Sequence, residues 1–308
     1  MAGDVAGPPE LVDDAPAVQA TSRRREVAGV LLRNRLAVFG FMVLALLVLA
    51  AVLGETIAPY EPNRRSADLA ADRLQAPSAA HPFGTDEFGR DVLSRVIVGA
   101  RVSLQVGFIA VGISLVAGVA LGLVAGFYGG RIDDVVMRSM DVLFAFPWIL
   151  LAIAILAVLG PGIVNAMVAI GVVFTPIFAR ITRGSVLSVR EEVYVRAARS
   201  LGANDLRLLR RHVLPNVLAP IIVQTSISLA FAILNEAALS FLGLGVQPPA
   251  PSWGRMLAEG RGFIQQAWWM ALFPGLAIFF TVLAFNLVGD GLRDALDPRH
   301  KSVSEAMP

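Results

Sequence analysis

Hydrophobic and polar positions along the 308 residues fall into long blocks, without the short repeats of an amphipathic soluble fold. Six apolar runs, at 36–57, 102–127, 142–159, 163–181, 217–242 and 268–292, are each about 18 to 26 residues long. As helices, with a rise of about 1.5 Å per residue, such runs cross a hydrocarbon core of about 30 Å. The pattern predicts an all-α polytopic membrane protein with six transmembrane helices. The first run begins too late and is too long for a cleaved signal sequence, so it reads as a retained span. Six spans put both termini on one side.

The polar stretches divide the rest. Residues 1–22, rich in Ala, Pro, Asp and Gly, read as a disordered cytoplasmic tail. Residues 23–58 form an N-terminal segment carrying the first span, and 59–101 an external loop subdomain. Residues 102–292 make a core of five spans interrupted by a cytoplasmic loop at 182–216, and 293–308 form a cytoplasmic tail. Charge sets the orientation: 18 of the 26 Lys and Arg lie on the side that holds the termini, eight of them between Arg180 and Arg211, which is the bias of cytoplasmic segments. The external loop dissents with six arginines, offset by about as many acids. Trp268 and Trp269 suit an outer aromatic belt.

Composition narrows the function classes. The chain is 56% hydrophobic and 16% charged, with a mean hydropathy of +0.68, against about 25% charged residues in soluble domains. It has no cysteine, so disulfides and thiolate metal sites are excluded. The net charge of +2 is small and the arginines sit at span ends, which fits a lipid bilayer rather than nucleic acid. No GxxxxGK[ST] phosphate loop occurs, and the single lysine is Lys301. His81, His212 and His300 are far apart, so no nucleophile–base–acid set is apparent. The span interiors hold almost no charge, which argues against an ion-coupled transporter. Glu236, late in the fifth span, is the exception: either a structural acid beside Asn235 or a residue of the pathway.

Other features read as structure. Gly118, Gly122 and Gly126 repeat every four residues and make a smooth face for a neighbouring helix. Pro147, Pro176 and Pro274 fall within spans, where they can kink a helix. The His, Asp and Glu positions between His81 and Asp91 fit no standard zinc or calcium loop, so this stretch reads as a turn-rich structural subdomain with no metal.

The loop between the fourth and fifth spans reads as two short helices. The first covers about 190–201, with Val193, Ala197 and Leu201 on one face and Glu192 placed to pair with Arg196. Gly202 supplies the positive φ that ends it. Asn204 or Asp205 caps the second, which carries Leu206, Leu209 and Val213 on one side and is closed by Pro215. Such a pair is either a docking element for a partner groove or an interfacial element lying on headgroups. Spacing alone does not separate the two.

The run Arg196-Ala197-Ala198, then Gly202, then Leu214-Pro215, resembles the signature loop of ABC importer permeases. That signature is Glu-Ala-Ala, three residues, Gly, nine residues, Ile, one residue, Leu-Pro. Arg196 and His212 depart from it. The stretch HPFGTDEFGRDVLSR from His81, RNRLAVFG before it, GGRIDDVVMRSMDVLFAFP and EAALSFLGLGVQPPAPSWG are similar to the dipeptide/oligopeptide/nickel branch, most of all its C-type permeases. The resemblance spans about 33–297. It implies a type I ABC importer permease fold with cytoplasmic termini, in a bacterial inner membrane, forming half of a translocation pathway for peptides. It further implies a second homologous permease, two ATP-binding subunits that hydrolyse ATP, an external substrate-binding protein, and no cofactor or enzyme site on this chain. Under it Arg196, Ala197, Ala198, Gly202, Asp205, Leu214 and Pro215 form the ATPase-coupling loop. Gly84, Asp86, Gly89 and Asp91 form the external signature.

Overall fold

A computed structural model describes residues 29–64 and 69–296. The tail expected over 1–22 and most of that expected over 293–308 lie outside the described residues. Among the described residues the chain is helical, with one isolated bridge, Thr85 to Asp91, and no strand. The long elements are α1 (Arg35–Ile57), α2 (Val92–Tyr128), α3 (Gly130–Phe144), α4 (Trp148–Leu159), α5 (Ile163–Val189), α6 (Val193–Ser200), α7 (Asp205–Phe241), α8 (Trp253–Gly260) and α9 (Trp269–Leu296). Five of them, α1, α2, α5, α7 and α9, are long and apolar enough to cross a membrane, and the bent pair α3–α4 makes up to a sixth.

The run at 142–159 is not one straight helix. Its chain breaks at 145–147, and α3 and α4 meet at 92°. Pro147 explains the break, because it holds the residue before α4 out of helical geometry and offers no N–H. The 12 residues of α4 rise only about 18 Å, short of a hydrocarbon core. Pro176 and Pro274, in contrast, sit inside unbroken helices.

Helix α2 is the centre of the bundle, packed against α5, α1 and α7, while α9 packs on α7, α1 and α8. The closest packing is between α2 and α5. A Cβ on Gly118 would lie 2.5 Å from Phe178 Cβ, one on Gly122 2.5 Å from the Ala179 carbonyl oxygen, and one on Gly126 2.8 Å from Val186 Cβ. The glycine face therefore meets α5, as its spacing requires. Helix α1 is peripheral and buries only Ala37, Gly40 and Gly54.

Two further expectations change. Pro215 does not close a short helix: α7 continues through it for 37 residues. The six residues Leu208–Val213 take a π-helical turn, and Pro215 falls in the first turn after it. The Leu214 N–H closes the π turn on Leu209 O, so the bulge in the hydrogen-bond ladder lies immediately before the residue that lacks an N–H. Trp269 does not belong to a belt. It is buried, and its indole N–H donates to the Thr85 carbonyl at 3.0 Å, while Trp268 is half exposed. A buried indole takes a partner where one is offered.

Candidate functional site

Three places on this frame carry unusual chemistry: the loop between α5 and α7, the cap that precedes α2, and a cavity beside the α3–α4 break.

In the loop, Glu192 stands at the cap position of α6 and its carbonyl receives the Val195 and Arg196 N–H groups at 3.1 Å. The expected Glu192–Arg196 ion pair is not formed; Glu191 pairs instead with Arg190, at 3.1 Å. Gly202 adopts φ +84°, and Ala203 N–H reaches back to Ala198 O at 3.1 Å, closing the turn. Asn204, rather than Asp205, caps α7 through its side chain on Arg207 N–H at 2.9 Å. Asp205 occupies the first helical position, where its charge suits the helix dipole. Val195 is buried with Leu208 and Val213 against the bundle, whereas Val193, Ala197, Leu201 and Leu206 are exposed. Leu201 is 89% exposed. Arg196 points outward, and its guanidinium makes no hydrogen bond or ion pair among the described residues.

The loop is fastened to α2. Arg190 donates from Nη1 to Gly126 O at 2.7 Å, and the Arg199 guanidinium lies 5.3 Å from the Phe127 ring centre. A second tie joins α3 to α5 through Arg183 Nη2 on Asp133 Oδ2 at 2.6 Å. Arg180 extends the same seam, meeting Asp141 at 2.7 Å and lying over the Phe144 ring.

The external signature folds into one tight cap. Asp86 Oδ1 accepts from the Phe88 and Arg90 N–H groups at 2.8 and 2.9 Å, and Gly89 provides the positive φ that the turn needs. Asp91 caps α2 through Ser94 N–H at 2.8 Å and also meets His81 Nδ1 at 2.8 Å. Gly84 has φ +73°, and a Cβ there would lie 2.6 Å from the Trp269 indole nitrogen. Arg90 Nε donates to Asp86 Oδ2 at 2.6 Å, and Arg90 and Arg95 both donate to Glu259 Oε2 at 3.2 Å. Arg255 completes the set on Glu259 Oε1 at 3.1 Å. Asp86, Glu87 and Glu259 have carboxylate oxygens within 4.8 Å of one another. Guanidinium groups already hold Asp86 and Glu259, so a cation would compete with arginines. Glu87 is the strained member: its Oε2 is buried without a partner. Burial, then the charges of Asp86 and Glu259, raise its pKa above the usual carboxylate value, against the backbone hydrogen bond and Arg90, which lower it. Sequence reasoning missed Glu259 and Arg255, because 169 positions separate Arg90 from Glu259 and only the fold joins them.

The cavity, of about 370 Å³, lies between the α3–α4 break, α5 and α7. Five aromatic and five aliphatic side chains make its wall, while Gln224, Ser228 and Asn235 supply its polar edge. Glu236 is turned away from it. The Glu236 side chain is buried inside the bundle and accepts from Ser240 Oγ at 2.7 Å and Ser103 Oγ at 3.2 Å. Gln224, Ser228, Phe231 and Asn235 follow steps of four, three and four, a stripe that apolar-run reasoning passed over.

Comparisons with known proteins add the lineage. The family described as "Binding-protein-dependent transport system inner membrane component" matches residues 118–302. A second family, "N-terminal TM domain of oligopeptide transport permease C", matches residues 22–77. The dipeptide transport system permease protein DppC of Alkalihalophilus pseudofirmus is 50% identical over 285 residues, covering 92% of each chain. The di/tripeptide transport system permease protein DppC of Pseudomonas aeruginosa is 48% identical over 88% of this chain and 90% of its own. The glutathione transport system permease protein GsiD of Pectobacterium atrosepticum is 47% identical over 88% and 89%. Among solved structures, an inward-facing MetNI methionine ABC transporter chain superposes with a TM-score of 0.54 at 20% identity, covering 66% of this chain and 96% of that one. That likeness concerns the fold alone.

Proposed function

The chain belongs to the family of binding-protein-dependent transport system inner membrane components, and from that premise we propose that it is a peptide-import permease driven by separate ATPase subunits. It crosses the membrane several times and is a transport subunit of the ABC importer class. Its relatives' names point to di- and tripeptides and glutathione as the substrate class.

The observation that carries the coupling reading is the exposed apolar face of α6. Val193, Ala197 and Leu201 stand outside the bundle, held at a fixed angle by Gly202, while Val195 anchors the same helix inward. A helix presenting an unburied apolar face beside a rigid turn suits insertion into a partner groove. The segment that carries that face also holds Arg196, Arg199, Arg207, Arg210 and Arg211, with Arg199 turned to the Phe127 ring, and this basic content suits a groove that carries acidic groups. The arginine content of the loop supports a cytoplasmic side for it and for both termini, with α3–α4 counted as the third of six spans. The working unit is a pair of similar permeases, two ATP-binding subunits and an external binding protein, set in a bacterial inner membrane. Nucleotide shifts the spans between inward- and outward-open states only by binding the two differently, and α6 and its turn transmit that difference.

Purification of the tagged chain in mild detergent tests this. The expected companions are a second permease and an ATPase, the latter lost when Gly202 is replaced by Val. Recovery of an ATPase in equal yield with Gly202→Val would remove α6 as the docking element.

A further inference from the structure

Asn235 is 4% exposed, yet its amide makes no hydrogen bond with any described residue, and it lines the cavity beside the α3–α4 break. Among the described residues the fully buried side-chain atoms without a partner are Glu87 Oε2 and Thr182 Oγ1, so the Asn235 amide keeps accessible surface, and that surface opens on the cavity. Lipid cannot satisfy this amide, since acyl chains offer neither donor nor acceptor. Its partner comes from the cavity, as water or as a polar solute that displaces it. Two to three turns below on the same stripe, Gln224 Nε2 donates to Ser228 Oγ at 3.1 Å, which leaves the Gln224 carbonyl and the Ser228 hydroxyl proton free to face an occupant.

The cavity also states what the occupant is not. No charged side chain is among its lining residues, so it does not read a carboxylate or an ammonium group. Its 370 Å³ fits small ligands, whose sites run from about 300 to 1,000 Å³. Ser228 and Asn235 are separated by about 10 Å of helix rise, the length of about three extended residues. An asparagine amide carries one acceptor and two donors, the complement of a backbone peptide group.

We propose that Asn235, with Ser228 and Gln224 on the same stripe, is a subsite that holds the transported peptide by its backbone. The Asn235 amide exchanges hydrogen bonds with a peptide group, while Phe146, Trp148 and Phe231 take side chains of any shape against their rings. Selection of side chains then falls outside this chain. The inference rests on the peptide-import reading above.

The test uses the complete importer in proteoliposomes, with ATP inside. Alanyl-alanine and alanyl-sarcosine, which lacks the peptide N–H, are each supplied at concentrations saturating the binding protein. The wild type takes up alanyl-alanine about tenfold faster, the ratio equivalent to one buried hydrogen bond. Asn235→Ala, which removes the amide without adding volume, abolishes that preference, and Asn235→Gln restores part of it. Wild-type uptake of neither peptide overturns the import reading. Uptake with an unchanged preference in Asn235→Ala overturns the subsite alone. Failure of Asn235→Ala to retain the second permease on purification also overturns it, by assigning the amide to a permease–permease contact.

Discussion

Arg190, at the end of α5, donates through Nη1 to the carbonyl oxygen of Gly126, 2.7 Å away in the last turn of α2. The last carbonyls of a helix lack intrahelical partners, and a cation there also meets the negative end of the helix dipole. The bond therefore caps α2 and ties it to the segment that leads into α6. If a partner docks on α6, as proposed, this bond offers a route by which its displacement reaches the central helix of the bundle.

Arg190→Ala breaks the tie while leaving the exposed face of α6 intact. The expected result is an assembled complex in which peptide uptake per ATP hydrolysed falls by about 2- to 30-fold, corresponding to 0.5–2 kcal/mol of coupling. Parallel measurement of uptake and phosphate release in proteoliposomes checks it. An unchanged ratio would move the transmission route elsewhere.

The glycine face of α2 allows almost no added volume. In Gly122→Ala the new methyl meets the Ala179 carbonyl oxygen at 2.5 Å and Thr182 Cβ at 2.7 Å, so α2 and α5 must separate. Overpacking of this kind costs about 1–3 kcal/mol. Gly112→Ala, where nothing lies within 4 Å, serves as the control and leaves thermal unfolding in detergent unchanged.

Arg196 stands where the family signature has glutamate and is exposed, in a segment that holds four further arginines, Arg199, Arg207, Arg210 and Arg211. Arg196→Glu reverses one charge at that rim. If the partner groove is acidic, as the basic rim implies, this variant slows ATPase association, and raising the salt narrows its difference from wild type. Stopped-flow docking at two ionic strengths gives the answer; faster association of Arg196→Glu would mean a basic groove.

Glu87 makes the cap that precedes α2 sensitive to pH. Its folded pKa is raised above the ordinary 4.5, chiefly by burial. The folded state therefore holds the proton more tightly than the unfolded chain does. Stability is greatest below the ordinary value and is lost as pH rises towards and through the folded pKa. Glu87→Gln removes that loss: it matches wild type in acid and exceeds it near neutrality. Thermal unfolding of the purified complex from pH 4 to 7.5 displays the slope, and parallel curves for the two proteins would disprove it.

Apolar run length made most of the bundle readable, because a span of 18 residues or more has few other uses in a chain this poor in charge. The turn at Gly202 was equally legible, since a positive φ favours glycine. What escaped has physical causes. Periodicity cannot report a 92° bend inside an apolar run, and Pro147 marks a break only when the neighbouring helices are seen. The π turn before Pro215 buries Leu208 and Val213 together, five residues apart, a spacing that helical periodicity does not report. Trp269 looked interfacial by position, yet Thr85, 184 residues away, offered its indole a carbonyl. Glu236 was readable only as either a structural acid beside Asn235 or a residue of the pathway, and no periodicity reports the opposite directions in which the two side chains turn.

The most direct test of the central claim is uptake of a radiolabelled dipeptide into proteoliposomes holding this chain, a second permease and both ATPases, with and without ATP and binding protein. The account predicts uptake that requires both, vanishes with Gly202→Val because that variant no longer retains the ATPase, and is absent when this chain is reconstituted alone. Uptake by the chain alone, or full coupled uptake with Gly202→Val, would contradict it.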